Sequence, residues 1–165
     1  STQGVSSAAS DVYKRQVRSR EMKKTFLMAI YPYLLKQYNI MFETIQKKYQ
    51  ITQIEIDVLA FLANNPEYHH AQDIVNIRGI SKAYVSCSLD KLVKRGLVER
   101  QVDNENRRCN CLFVTPYANE LIKEIRAVQD NYNEIAYQGL SDQDKEQFNR
   151  LISQIYENLG GNNNE

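Results

Sequence analysis

No stretch of this 165-residue chain stays apolar for the roughly 18 residues that a membrane-spanning helix needs. Lys, Gln, Asn or Pro interrupts every hydrophobic run sooner, so a soluble protein without a membrane partner is expected. Glycine is scarce: its six residues are scattered, so the chain lacks the glycine cluster of a phosphate-cradling loop and the Gly-x-Ser-x-Gly of a nucleophile elbow. The two histidines, His69 and His70, are adjacent and have no Ser or Cys at a recognisable catalytic spacing. An enzyme is not expected, nor is a cofactor. Cysteine is low and odd in number. Cys87, Cys109 and Cys111 have no disulfide-framework spacing, which favours a reducing interior, and hence a cytoplasmic location, over secretion. With only the histidine pair as further soft ligands, no metal site is expected either.

Excess charge of one sign is also missing, but the net charge of +1 hides a segregation along the chain. Residues 1–48 and 78–108 are net positive, while 49–77 and 116–165 are net negative. A basic middle is thus masked by an acidic tail. At this length, with 42% hydrophobic residues, one good core is expected, in a single domain or a domain with an appendage.

"STQGVSSAASDVYKRQVRSR" at the start is Ser/Ala-rich without apolar periodicity. Residues 1–21 are expected to be a disordered extension or cloning scar, with native sequence from near Met22. "MKKTFLMAIYPYLL" mimics the basic and apolar regions of a signal peptide but has no A-x-A-like cleavage site, and its apolar positions continue helically past Tyr38. Leu27, Ile30, Leu34, Tyr38, Met41, Phe42 and Ile45 follow three-and-four spacing, which predicts one amphipathic helix within 22–50, with Pro32 in its first turn or at a kink.

Beyond it, Thr52 and Glu55 form a capping-box pattern that opens a second helix through about Ala63. "NNPEYHH" reads as a loop, with the histidines as a loop and helix-cap pair. "AQDIVNIR" is a short helix ended by Gly79, and Ser81 caps another whose apolar positions are Val85, Leu89, Leu92 and Ser88. Two helices joined by a short Gly-containing turn predict a helix-turn-helix. Gly96 is placed to end the second one, with Lys94 and Arg95 in its last turn.

The rhythm then becomes strand-like. "LVERQV" and "CNCLFV" flank "DNENRR", which predicts a hairpin with a cationic tip. Thr115 and Pro116 are expected to open, as N-cap and N1, a long helix through about Gln138. Its Leu121, Ile125, Val128, Tyr132 and Ile135 recur at the 4-3 spacing of a seam for a partner helix. Ser141 and Asp144 cap a last helix with Phe148, Leu151, Ile152, Ile155 and Leu159 on its apolar face.

The expected fold class is therefore mainly α with a small β-hairpin wing: a winged helix-turn-helix over 51–115, flanked by an N-terminal dimerisation helix (22–50) and C-terminal dimerisation helices (116–165). In that geometry the helix opened by Ser81 enters a DNA major groove and the hairpin tip reaches a neighbouring minor groove or the backbone. Ser81, Lys82, Ala83, Tyr84, Ser86, Cys87 and Lys91 are the candidate DNA contacts on the helix, and Arg107 and Arg108 those on the wing. Hydroxyls can bond phosphates or base edges, Ala83 can touch a thymine methyl, and lysine supplies charge. A solvated polar face is the plain alternative for any such helix taken alone. The preceding turn and the following cationic hairpin favour DNA over it.

From about Ile51 to Ala118, and more loosely over the flanking helices, the chain resembles the MarR family of bacterial winged-helix transcription regulators. The string "ISKAYVSCSLDKLVKRGLVERQVDNENRRCNCLFVTPYA" resembles the family pattern of a Ser-started recognition helix, the "L-x-x-x-G-L-V-x-R" exit, the "D-x-x-D-R-R" wing and the closing "L-x-L-T". The resemblance implies a homodimer with interlocked terminal helices, two recognition helices on a pseudo-palindromic operator in double-stranded DNA, and a small-molecule pocket between the dimerisation and DNA-binding parts. A repressor released by a small aromatic effector is the reading that follows, with Tyr31 and Tyr38 as candidate pocket residues. Two departures stand out: Cys87 replaces an Arg common in the family, and Asn106 replaces the usual wing Asp. Two other readings stay open. One is a winged helix that binds protein instead of DNA. The other is a thiol-based redox regulator acting through Cys87, which lies among Lys82, Lys91 and Arg95, a cationic setting in which thiols react more readily.

Overall fold

The computed structural model describes residues 26–102 and 110–161. The expected extension at 1–21 and the hairpin tip, with Arg107, Arg108 and Cys109, lie outside the described residues. The chain divides into two compact units, residues 1–38 and 39–165. In the first, α1 (Phe26–Met41) carries Pro32 in its interior and runs on into the second.

The second unit starts with a difference from expectation. The helix does not continue through Ile45 but breaks at Phe42, and α2 (Glu43–Tyr49) follows. The Phe42 N–H bonds the i−3 carbonyl of Asn39 at 3.1 Å, a tightened turn, and the Phe42 side chain is wholly buried there. Gln50 closes α2 in the left-handed region at φ 49, and the Ile51 N–H returns to the Gln46 carbonyl. Helix α3 (Gln53–Asn64) opens on the expected box. The Glu55 N–H donates to Thr52 Oγ1 at 3.3 Å, and the Thr52 N–H to Glu55 Oε2 at 2.8 Å.

Helix α4 (Ala71–Arg78) has His70 at its N-cap position and ends at Gly79, φ +64. Ser81 caps α5 (Lys82–Lys94) by accepting the Tyr84 N–H. Gly96, at φ +70, supplies the left-handed turn that ends α5, with the Leu97 N–H on the Leu92 carbonyl at 3.0 Å. Strands β1 (Val98–Val102) and β2 (Asn110–Val114) pair antiparallel, with Val98 opposite Val114 and Arg100 opposite Leu112. The Leu112 N–H also donates to the His69 carbonyl at 2.8 Å, so the loop before α4 runs along the free edge of β2.

Thr115 and Pro116 take the expected N-cap and N1 positions, but of a 3₁₀ turn, and the Thr115 side chain makes no capping bond. Its hydroxyl instead donates to the Gly96 carbonyl at 2.5 Å, which ties the exit of the hairpin to its entrance. The 3₁₀ turn (Pro116–Ala118) precedes α6 (Asn119–Ala136). The apolar seam of α6 is divided along its length: Leu121, Ile122 and Ile125 are buried in this unit, whereas Ile135 is exposed. Gly139, φ +82, intervenes before α7 (Asp142–Asn158), which opens on the Ser141–Asp144 capping box. Those hydrogen bonds from Ser141 hold the Asp144 carboxyl below its ordinary range. No residue of α7 is buried.

Helix α3 is the hub on which α5, α6 and β2 pack, and α4 packs on α5. Ile56, Leu59, Ile74, Val85, Leu89, Leu92, Val98, Leu112, Leu121 and Ile125 form the core, each contributing on the order of 1.5–3 kcal/mol by leaving water. Mostly helix with one small antiparallel hairpin, this is the winged helix-turn-helix that the sequence predicts.

Candidate nucleic-acid interface

Helix α5 has two distinct faces because its apolar residues recur with helical period. Val85, Leu89 and Leu92 are sunk in the core, together with Ser88. The other side carries Ser81, Lys82, Ala83, Tyr84, Ser86, Cys87, Asp90, Lys91 and Lys94, all exposed. Tyr84 is 61% exposed although it is a large ring. Every helix residue singled out from the sequence thus lies on one outward surface, directly after the tight turn from α4.

Three ties orient this helix. At its C-terminal end the Arg95 guanidinium donates to the carbonyls of Tyr49, 2.6 Å, and Gln50, 3.1 Å, occupying acceptors that the end of α2 leaves open. In its last turn, the Lys91 ammonium lies 3.2 Å from Glu55 Oε1, on a residue that is only 4% exposed. Lys91 is therefore tied into the domain even though its stem lies on the outward face. Asp90 pairs with Arg100 of β1 at 2.6 Å. Both members are well exposed, so the pair contributes about 0–1 kcal/mol. Its greater consequence is electrostatic, because the acid on the outward face is offset by a wing-root cation. Lys82 and Lys94 form no ion pair among the described residues.

Behind α5, α2 is joined to α6 through Glu124, which accepts from Lys48 Nζ and, at 2.7 Å, from the Tyr49 hydroxyl. These donors hold the Glu124 carboxyl below its ordinary value, and the same contacts raise Lys48 and Tyr49. On α3, burial pushes the Asp57 carboxyl up, partly offset by Gln53 and Arg78. Arg126 of α6 donates to the Ala63 carbonyl at 2.7 Å and to Asn64. The scaffold that carries the outward face is thus cross-braced at both ends of α3.

Other candidates are placed as follows. Tyr31 is exposed and Tyr38 half-buried; two helical turns apart, they share one side of α1. Cys87 is exposed and Cys111 half-buried. His69 stacks on Phe113, ring centroids 4.9 Å apart, and His70 sits at the start of α4. No group of His, Cys, Asp and Glu able to hold a metal ion occurs among the described residues, and no described helix is long and apolar enough to cross a membrane.

Sequence reasoning missed Arg100, and it placed Arg95 at the end of α5 without its bonds to the Tyr49 and Gln50 carbonyls. Strand alternation could have placed Arg100 on the outer side of β1, but its pairing with Asp90 depends on how the hairpin folds back on α5. A cleft of 230 Å³ opens between α4, α5 and the hairpin, with Lys82, Ser86 and Arg100 on its rim and Val75, Leu89 and Leu112 among its apolar lining.

A family model described as the MarR family matches residues 49–108. Among solved structures, a MarR protein from Peptoclostridium difficile superposes with a TM-score of 0.72 at 19% identity, covering 87% of this chain and 92% of that one. A putative MarR family transcriptional regulator from Listeria monocytogenes, solved with a 26mer DNA, gives 0.70 at 19% identity over 84% of this chain and 89% of that one. The S. aureus MepR–DNA complex gives 0.68 at 19% identity over 86% and 99%. At such identities the structural likeness concerns the fold, and the family match rests on the sequence of the helix-turn-helix and wing. Over residues 49–108, the winged helix-turn-helix of this chain is similar to the MarR family.

Proposed function

We propose that this protein is a homodimeric, sequence-specific DNA-binding transcription regulator that acts as a repressor and is released by a small aromatic effector. The observation that carries the DNA reading is the outward face of α5. Its hydroxyls, Ala83 and Lys82 stand clear of the core on a helix locked from behind, which suits insertion into a major groove. Two structural neighbours were solved as DNA complexes, which supports the same use of the fold here. Ser81, Tyr84 and Ser86 would bond phosphates or base edges, Lys82 would neutralise a phosphate, and Cys87 would add a small contact where the family often has arginine. Arg107 and Arg108 would anchor the wing tip. Lys91 would contribute less, because Glu55 holds its charge.

Dimerisation is supported by apolar surface that the unit leaves uncovered. On α7, Phe148, Leu151, Ile152 and Ile155 lie exposed on a helix with nothing buried, and α1 exposes Met28, Tyr31 and Leu35. An exposed apolar face of this kind, on either unit taken by itself, marks an interaction site. A second copy is the partner that also supplies a second α5 for a pseudo-palindromic operator. An effector held at Tyr31 and Tyr38 would act by preferring the dimer whose two α5 helices are mis-spaced for DNA, a shift set by its differential affinity for the two forms.

The test is fluorescence anisotropy with a labelled duplex at low salt, where non-specific binding is measurable, comparing the parent with Ser86→Asp. A negative charge in the middle of the outward face is expected to weaken binding by at least about tenfold, roughly 1.4 kcal/mol, with the thermal midpoint unchanged. Equal binding by the two proteins would remove α5 from the interface and favour a winged helix that docks protein.

A further inference from the structure

The capping box that opens α3 uses only one oxygen of Glu55: Oε2 accepts the Thr52 N–H at 2.8 Å. The other oxygen, Oε1, faces the Lys91 ammonium at 3.2 Å. The Glu55 side chain is 6% exposed and that of Lys91 56%, so a carboxylate nearly out of water holds a cation that is half in it. Lys91 follows Cys87 by four residues and Tyr84 by seven, and both of these are exposed. Helical spacing therefore puts the Lys91 stem on their outward stripe, while its charge is drawn back toward α3. The capping box needs an acceptor at residue 55 and not a charge, because Gln serves at this position as Glu does. Apart from a small helix-dipole contribution, the negative charge of Glu55 has no local role. Its consequence falls on Lys91.

We propose that Glu55 is a positioning residue that withholds Lys91 from DNA phosphate, and so sets the affinity of α5 for duplex DNA below what its own cations allow. The inference rests on the DNA-binding reading. The lysines of α5 are Lys82, Lys91 and Lys94. Lys82 and Lys94 form no ion pair among the described residues and can turn to a phosphate at no loss. Lys91 has first to leave Glu55. Attraction to a carboxylate shielded from water is several times stronger than at a solvated surface, and the departure strands a buried charge without a partner. A backbone phosphate in salt and water is the weaker competitor. Phosphate contacts carry no base information, so Glu55 governs affinity and salt dependence and leaves sequence preference unchanged.

The experiment titrates a fluorescein-labelled duplex of mixed sequence with the full chain at several salt concentrations, for the parent, Glu55→Gln, Lys91→Met and the double variant. Gln at 55 keeps an acceptor for the Thr52 N–H and removes only the charge. Glu55→Gln is expected to bind about threefold or more tightly at low salt and to steepen the salt slope by up to about 0.9 per protomer, the value of one phosphate contact. In the Lys91→Met background the same change is expected to do nothing, because the lysine that it releases is gone. A gain that persists without Lys91 is a general effect of the lost charge and overturns the proposal, as does an unchanged slope in Glu55→Gln. Should Glu55→Gln fail to fold, the parent decides alone. Amine acylation with and without duplex, followed by peptide mass spectrometry, is expected to show Lys82 protected several-fold more than Lys91, and equal protection overturns the proposal. A parent that binds no duplex at any salt refutes the DNA-binding reading itself, whereas a parent that binds while Glu55→Gln changes nothing refutes only the role of Glu55.

Discussion

Two lysines of α5 that look alike in the sequence are expected to behave differently when removed. Lys82 and Lys91 both lie on the outward face, but only Lys91 reaches inward, with its ammonium 3.2 Å from the carboxylate of Glu55, a residue that is 4% exposed. Breaking a fully buried pair costs about 3–5 kcal/mol and an exposed pair about 0.2–1. The Lys91 side chain is 56% exposed, and Glu55 retains the Thr52 N–H as a donor, so water and the cap recover much of the loss. Lys91→Met is therefore expected to destabilise the protein by about 1–2 kcal/mol, visible as a lower urea midpoint at unchanged slope. Lys82→Met has no such partner to lose and is expected to leave the midpoint within about 0.5 kcal/mol of the parent. In DNA titrations at several salt concentrations the order reverses: Lys82→Met flattens the salt dependence by about one phosphate contact per site, and Lys91→Met by less. The reasoning is refuted if Lys82→Met destabilises as much as Lys91→Met, or if Lys91→Met flattens the salt slope more.

Gly96→Ala isolates backbone strain, because an added Cβ meets nothing within 4 Å while φ stays at +70; the expected loss is about 1 kcal/mol, and an unchanged melting curve would show that the turn relaxes freely. Glu124→Gln tests the brace between α2 and α6 through pH. Because Lys48 and Tyr49 depress the Glu124 carboxyl in the folded state, its stabilisation is present above the ordinary value of 4.5 and is lost as pH falls through the lower folded value. The variant should melt below the parent at pH 7 and converge with it in acid; a gap that widens in acid contradicts the assignment. Ile152→Glu places a charge within the exposed apolar face of α7 and is expected to turn a dimer into a monomer by sedimentation at micromolar concentration, whereas a parent that already sediments as a monomer ends the dimer proposal.

Those features that depend on neighbours in sequence were the legible ones. The Thr52–Glu55 and Ser141–Asp144 boxes, the Ser81 cap, the glycine stops at 79, 96 and 139, and the strand pair all follow from local chemistry and appear where the residues predict them. Legibility ended where two elements meet. Phe42 breaks a helix whose periodicity runs on, where its side chain is wholly buried in the unit. Thr115, a good cap by type, bonds Gly96 across the hairpin instead. The continuous seam of α6 gives no sign that its first turns are buried within this unit while its last are exposed. At the outward face, residue type and period identified which side chains point out. They could not show that Asp90 is offset by Arg100 or that Lys91 is held by Glu55, since each pairing joins residues brought together only by the fold.

The central claim is that α5 reads DNA sequence as part of a two-fold dimer. It is tested most directly by selecting bound duplexes from a random pool with the full chain and then measuring affinity for the enriched duplex at two salt concentrations. The account predicts enrichment of an inverted repeat with half-sites about one helical turn apart, together with an affinity that falls steeply with salt. A pool that shows no enrichment, or binding indifferent to salt, would contradict it.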